Sequence, residues 1–201
     1  MLVLRSSPAS PFGRKIKIAA ALLGLSERIE IVVADTIDPG DSIRSQNPLG
    51  KIPALVLEDG AVVFDSRVIA EYLDWLAGGG RIIPAEAGAR FRALTLQALA
   101  DGITDAALLQ VYETRFREPA HHGRKWLDHQ AGKVARGLAA LEAAPPAEEG
   151  RDIGAIALAC ALGYLDLRFS GLWRADHPRL AAWIDRFAAE VPAFEATRAK
   201  A

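Results

Sequence analysis

Three consecutive glycines, Gly78, Gly79 and Gly80, separate a stretch in which the hydrophobic period keeps changing from one in which it stays helical. Ahead of them, Leu2, Val3 and Leu4 form a short buried-strand pattern, and Ser10 followed by Pro11 is the signature of a helix N-cap with proline in the first turn. Ile16, Ala19, Ala20 and Leu23 then fall at i, i+3, i+4 and i+7, with Gly24 placed to end the helix. Residues 29–34 are apolar and β-branched and read as a second strand. Because it is reached through a helix, it lies parallel to the first. A polar loop over 35–47 leads to two apolar runs, 53–57 and 61–64, and the Glu58-Asp59-Gly60 between them predicts a tight hairpin. A further helix starts near Ser66 as its N-cap, carries Val68, Ile69, Tyr72, Leu73 and Leu76 on one face, and is stopped by the glycines.

The order βαβ, then ββα, is an α/β sandwich of about 80 residues with a core of its own. Beyond the glycines, Phe91, Leu94 and Leu99 share one helix, and Trp126, Val134, Leu138 and Leu141 share another that ends before Pro145 and Pro146. Ile153, Ile156, Ala157, Cys160, Ala161 and Tyr164 make a wide apolar stripe that reads as the centre of the helical part. The expectation is an α/β domain over 1–77, a linker over 77–85, and an all-helical domain over 86–201.

Hydrophobic residues at 51% and charged residues at 24% provide for a globular core and exclude collagen-like, disordered and disulfide-stapled classes. With 24 basic and 25 acidic residues the net charge is -1, so no overall field draws the chain to nucleic acid or to an anionic membrane. A small neutral or amphiphilic partner fits better. One cysteine, Cys160, excludes an internal disulfide and a cysteine-based zinc site and suits a reducing cytoplasm. The start, with Arg5 and only a short apolar run, does not read as a signal peptide, and the longest apolar run, 153–165, is too short to span a bilayer.

Three places can carry chemistry. A capping Ser10 uses a lone pair on a backbone N–H, which leaves its proton free to donate in front of the helix, where an anion also meets the helix dipole and nearby Arg14 and Lys15. In Asn47-Pro48-Leu49-Gly50-Lys51-Ile52-Pro53, the proline at the head of a strand is either an ordinary trans residue or a cis one. The cis form turns the backbone of Ile52 outward toward an extended, peptide-like ligand. Asp65 and Ser66 mark a strand-to-helix junction, with free N–H groups and a hydroxyl for a carboxylate and Asp65 for an ammonium. Together they suit an amino-acid head group.

The remaining candidates read as structural. Cys160 lies in an apolar stripe and reads as an inert core residue. Asp101 and Asp105, at i and i+4, read as a solvated or interface face. Adjacent His121 and His122 point apart, which disfavours a metal site. Tyr112, Phe116, Trp126, Tyr164 and Trp173 either line an apolar pocket or fill the core.

These motifs resemble the cytosolic glutathione transferases, which join a thioredoxin-like domain to an all-helical one. The resemblance rests on Ser10-Pro11-Phe12, on the 47–53 motif, and on Asp65-Ser66-Arg67-Val68-Ile69-Ala70-Glu71-Tyr72-Leu73. It implies that Pro53 is cis and that Ile52 binds the cysteinyl backbone of glutathione. It further implies that Lys51 faces the glycyl carboxylate, that Asp65 and Ser66 hold the γ-glutamyl end, and that Ser10 activates the sulfur. The start is similar to serine-type bacterial and plant, tau-like, members, although Ser6 and Ser7 stand nearby. Family members usually carry glutamate where Asp65 stands, and only half of a capping box survives at Asp152, with Ala155 three residues on. The implied activity is conjugation of glutathione, as co-substrate, to small electrophiles by a homodimer joined through the helix over 90–117, without metal or redox cofactor. The alternatives are a non-catalytic scaffold or regulatory relative, and a glutathione-dependent isomerase or dehalogenase on the same fold.

Overall fold

A computed structural model describes residues 1–147 and 150–199. Strands β1 (Leu2–Ser6), β2 (Ile29–Val33), β3 (Ala54–Val56) and β4 (Val62–Val63) form one mixed sheet in the order β2-β1-β3-β4. β1 and β2 are parallel with Leu4 opposite Ile31, and β3 runs antiparallel to both β1 and β4 with Leu55 between Leu4 and Val63. Helices α1 (Pro11–Leu23), α2 (Ile43–Gln46) and α3 (Ser66–Leu76) belong to this small domain. The rest is helical: α4 (Ala87–Phe116), α5 (Arg124–Ala143), α6 (Ile153–Phe169), α7 (Trp173–Asp176), α8 (Pro178–Glu190) and α9 (Pro192–Ala196). Among the described residues no helix is long and apolar enough to cross a membrane.

Local signals fix the boundaries of α1. Ser10 is extended and its Oγ accepts the Gly13 N–H at 3.0 Å, while Gly24 closes the helix at φ 73°. The hairpin turns as predicted, with Leu57 N–H donating to the Ala61 carbonyl at 2.8 Å. The loop over 35–47 is more ordered than its polarity suggests. It contains α2, and buried Arg5 on β1 holds it by donating to Ser42 Oγ at 2.7 Å, Gln46 Oε1 at 2.5 Å and Asp41 Oδ1 at 2.8 Å.

Packing changes three expectations. The apolar face assigned to α3 is narrower than its pattern, since Val68 is 52% exposed. Phe91 and Trp126 also face out, because the cores of α4 and α5 are built from smaller or differently phased residues such as Ala93, Ala100, Ile103 and Leu138. α6 is buried on nearly every side rather than along one stripe, and its Ile156 and Leu162 share a continuous core with Leu4 and Ile16 of the sheet domain. Asp74, at the end of α3, accepts the N–H groups of Gly80, Arg81 and Ile82 at 2.8, 3.0 and 2.8 Å. The carbonyl of Ile82 in turn accepts from Ile153 N–H at 2.8 Å.

Candidate functional site

The register of the sheet gathers the sequence candidates. Arg5 of β1 pairs antiparallel with Ala54 of β3, and Leu55 pairs antiparallel with Val63 of β4. The exit of β1 toward Ser10, the start of β3 after Lys51, Ile52 and Pro53, and the exit of β4 into Asp65 and Ser66 therefore lie at one end of the sheet.

Ser10 is nearly buried, and its capping bond uses an oxygen lone pair, leaving the hydroxyl proton uncommitted among the described residues. Gly13 makes room for this arrangement, because a Cβ there would stand 1.9 Å from Ser6 Oγ and 3.3 Å from Ser10 Oγ. Ser6 is fully enclosed with its hydroxyl against the Ser7 carbonyl, so it has no surface to present to a ligand.

The Ile52–Pro53 bond is cis, and so is Phe64–Asp65. Asn47, itself buried, shapes the approach to Pro53 by donating from Nδ2 to the Lys51 carbonyl at 2.8 Å and accepting from Leu49 N–H at 3.0 Å. Neither the N–H nor the C=O of Ile52 takes a hydrogen-bond partner among the described residues. At the next junction the cap is Asp65 and not Ser66: Asp65 Oδ1 accepts the Arg67 N–H at 2.9 Å. Both residue types cap helices well, so composition left the choice between neighbours open. The outcome leaves the buried Ser66 with a hydroxyl and an N–H that make no bond among the described residues.

Two expectations about charge are corrected. Asp101 is not on a solvated or interface face. It is 2% exposed and accepts from Lys15 Nζ at 2.8 and 2.9 Å and from Arg67 Nε at 3.2 Å. Lys15 is thereby spent on Asp101 rather than on an anion in front of α1. Arg14 turns toward the C-terminal segment, donating from Nε to Thr197 Oγ1 at 3.3 Å and from Nη2 to the Phe194 carbonyl at 2.5 Å. Asp105 is more open, and desolvation together with neighbouring Asp101 pushes its carboxyl above the usual range against the pull of Arg67, Lys51 and Lys15.

A cavity of about 490 Å³ opens beside Ser10, between the β1–α1 turn, α6 and the C-terminal segment. Of the six candidates only Ser10 borders it; Lys51, Ile52, Pro53, Asp65 and Ser66 lie outside its lining. Of the aromatic candidates only Tyr164 lines it, whereas Trp173 is buried elsewhere and Phe116 and Trp126 are exposed. Cys160 also touches the cavity, but burial pushes its thiol up to about 12, which keeps it protonated and unreactive at neutral pH. The contributions of Arg14 and Gly163 to this lining were beyond sequence reasoning, since they meet only through the crossing of α1 and α6.

Residues 9–76 match the family model for the glutathione S-transferase N-terminal domain, and residues 124–186 match that for the C-terminal domain. The uncharacterized GST-like protein YibF of Escherichia coli K12 is 33% identical over 187 residues, spanning 90% of this chain and 91% of that one. A crystal structure of a glutathione transferase family member from Pseudomonas fluorescens Pf-5 with bound glutathione superposes with a TM-score of 0.94 at 45% identity, each chain covered in full. A second structure from that organism, with bound S-(propanoic acid)-glutathione, gives 0.89 at 46% identity, again with full coverage of both chains.

Proposed function

Because the chain belongs to the glutathione S-transferase family, we propose that it conjugates glutathione to small electrophiles, with Ser10 donating a hydrogen bond to the glutathione thiolate. The observation that carries this reading is the shared sheet end, which brings together the Ser10 hydroxyl proton, the backbone of Ile52 and the N–H and hydroxyl of Ser66, all uncommitted among the described residues, with a cavity bordering Ser10. Ile52, preceding Pro53, takes the cysteinyl backbone, Lys51 the glycyl carboxylate, and Asp65 with Ser66 the γ-glutamyl group. Support comes from the Pseudomonas relative, which binds glutathione at 45% identity over the whole chain.

The energetics are modest. A free thiol titrates at about 8.5, and lowering that by two units needs about 2.7 kcal/mol, which one hydroxyl and a helix N-terminus in a sheltered site supply. The nucleophile is the sulfur of the co-substrate, so the reading calls for no metal or redox cofactor. Residues 1–77 hold glutathione and 86–201 shape the pocket for the electrophile. The lone cysteine and the thiol co-substrate both suit the cytoplasm. The functional unit in this reading is a homodimer. Val68, Trp75 and Phe91 are exposed on α3 and α4, and the bridges Arg90–Glu71 at 3.4 Å and Arg67–Asp101 at 3.2 Å hold these helices side by side.

Retention on immobilised glutathione, with elution by free glutathione, followed by turnover of an aromatic halide, tests the reading. Failure to bind overturns it. Binding without turnover of any electrophile places the chain with the non-catalytic scaffolds.

A further inference from the structure

Arg14 is a buried cation that makes no ion pair with an acidic side chain among the described residues. It stands one helical turn beyond Ser10, on the same face of α1, and is only 7% exposed. Its guanidinium lies over the Phe194 ring at 3.9 Å from the centroid, and Nε and Nη2 are spent on Thr197 and Phe194. Nη1 takes no hydrogen bond among the described residues. It reaches across α6 at Gly163, where a Cβ would come within 2.5 Å of it, and Arg14, Gly163, Ser10 and Tyr164 line the same cavity.

The acids that share this cavity are already matched. Asp166 accepts from Arg174 Nε and Nη2 at 3.0 and 2.7 Å and from Trp173 Nε1 at 2.8 Å, and Glu195 is paired with Arg198 at 2.5 Å. Nη1 is open to the cavity and takes no hydrogen bond from the chain itself among the described residues, so a ligand that brings an anionic oxygen to it gains a charge-assisted hydrogen bond. A cavity of about 490 Å³ with one free guanidinium edge suits a small carboxylate, whereas a phosphate wants several converging donors.

Resting on the transferase reading above, we propose that Arg14 is a specificity-determining residue that recognises a carboxylate on the electrophile, and that the substrates include small α,β-unsaturated carboxylic acids. The glutathione thiolate attacks the β-carbon and a C–S bond forms. The pair of electrons from the C=C bond moves toward the carboxylate, and the α-carbon then takes one proton from water; nothing leaves. Negative charge on the carboxylate grows during the attack, so Arg14 holds the transition state more tightly than the ground state.

Calorimetric titration of the full chain with S-carboxyethyl-glutathione, its neutral S-carbamoylethyl amide and glutathione itself decides the matter. A charge-assisted bond to a sheltered guanidinium predicts that the acid binds about tenfold or more tighter than the amide. Arg14→Gln should erase that preference while still binding glutathione. Equal affinity of the unaltered protein for acid and amide overturns the proposal, and that comparison needs no variant to fold. A preference that survives in Arg14→Gln also overturns it and moves recognition to Arg198. Loss of all three ligands in the unaltered protein would refute the transferase reading itself, and this assignment with it.

Discussion

Lys15 Nζ lies 2.8 and 2.9 Å from the two carboxylate oxygens of Asp101, so a fully buried ion pair joins α1 of the sheet domain to α4 of the helical domain. Removing one member of such a pair strands the other charge. Asp101→Leu is therefore expected to cost about 3–5 kcal/mol, and Lys15→Met combined with Asp101→Leu to cost less than the sum of the two single changes. Urea midpoints of the four proteins measure this, and strict additivity would contradict the coupling.

Ser10→Ala should leave glutathione affinity nearly intact while raising the pKa of the bound thiol. Losing one donor to an anion is worth about 1.5–3 kcal/mol, so turnover near neutral pH should fall roughly ten- to a hundredfold and recover at alkaline pH, where thiolate forms unaided. A pH–rate profile with an aromatic halide, alongside thiolate absorbance of the binary complex, reads both effects. An unchanged profile would transfer the role to Ser7 or to backbone donors.

Cys160 gives a pH signature independent of catalysis. Its thiol is raised to about 12 in the folded chain by burial and returns to about 8.5 on unfolding. A raised folded value means the contribution to stability is complete below the unfolded pKa and is lost as pH climbs through the folded one. Between the two, stability should decline by about 1.4 kcal/mol per pH unit relative to Cys160→Ala. Denaturation of both proteins from neutral to alkaline pH tests the difference. Parallel curves would show that the thiol is less sheltered than its position implies.

Sedimentation at micromolar concentration should give a species near twice the 21.6 kDa chain. Trp75→Glu and Phe91→Glu, which charge exposed positions on α3 and α4, should shift it to monomer without unfolding it. A monomer in the unaltered protein removes the proposed interface.

What was legible in the sequence was local. Ser10, Pro11 and Gly24 announce α1 because capping and termination depend on neighbours within a turn, and Asp59-Gly60 announces the hairpin for the same reason. Pairing at a distance was not legible. Asp101 and Asp105 look like one acidic face, and nothing in their spacing says that Lys15, 86 residues earlier, covers the first and leaves the second in the open. Arg14 looked ready to meet an anion at the start of α1, but its guanidinium is drawn to a carbonyl 180 residues further along, with only Nη1 left over. The candidate site shows the same division: its members were named from motifs, while their common location follows from strand register and the cavity beside them from helix crossings.

Asp74 gives the glycine run a mechanical meaning opposite to its composition. Gly78, Gly79 and Gly80 adopt φ of 101°, 78° and 75°, a pattern that reads as a swivel, yet the carboxylate at the end of α3 grips the amides of Gly80 and of the two residues after it, and Ile82 is bonded to the head of α6. The glycines supply a sharp corner and no hinge. The two halves should turn as one body, so the mouth beside Ser10 has a width set when the chain folds, and a protease that favours loose linkers should find no purchase between them.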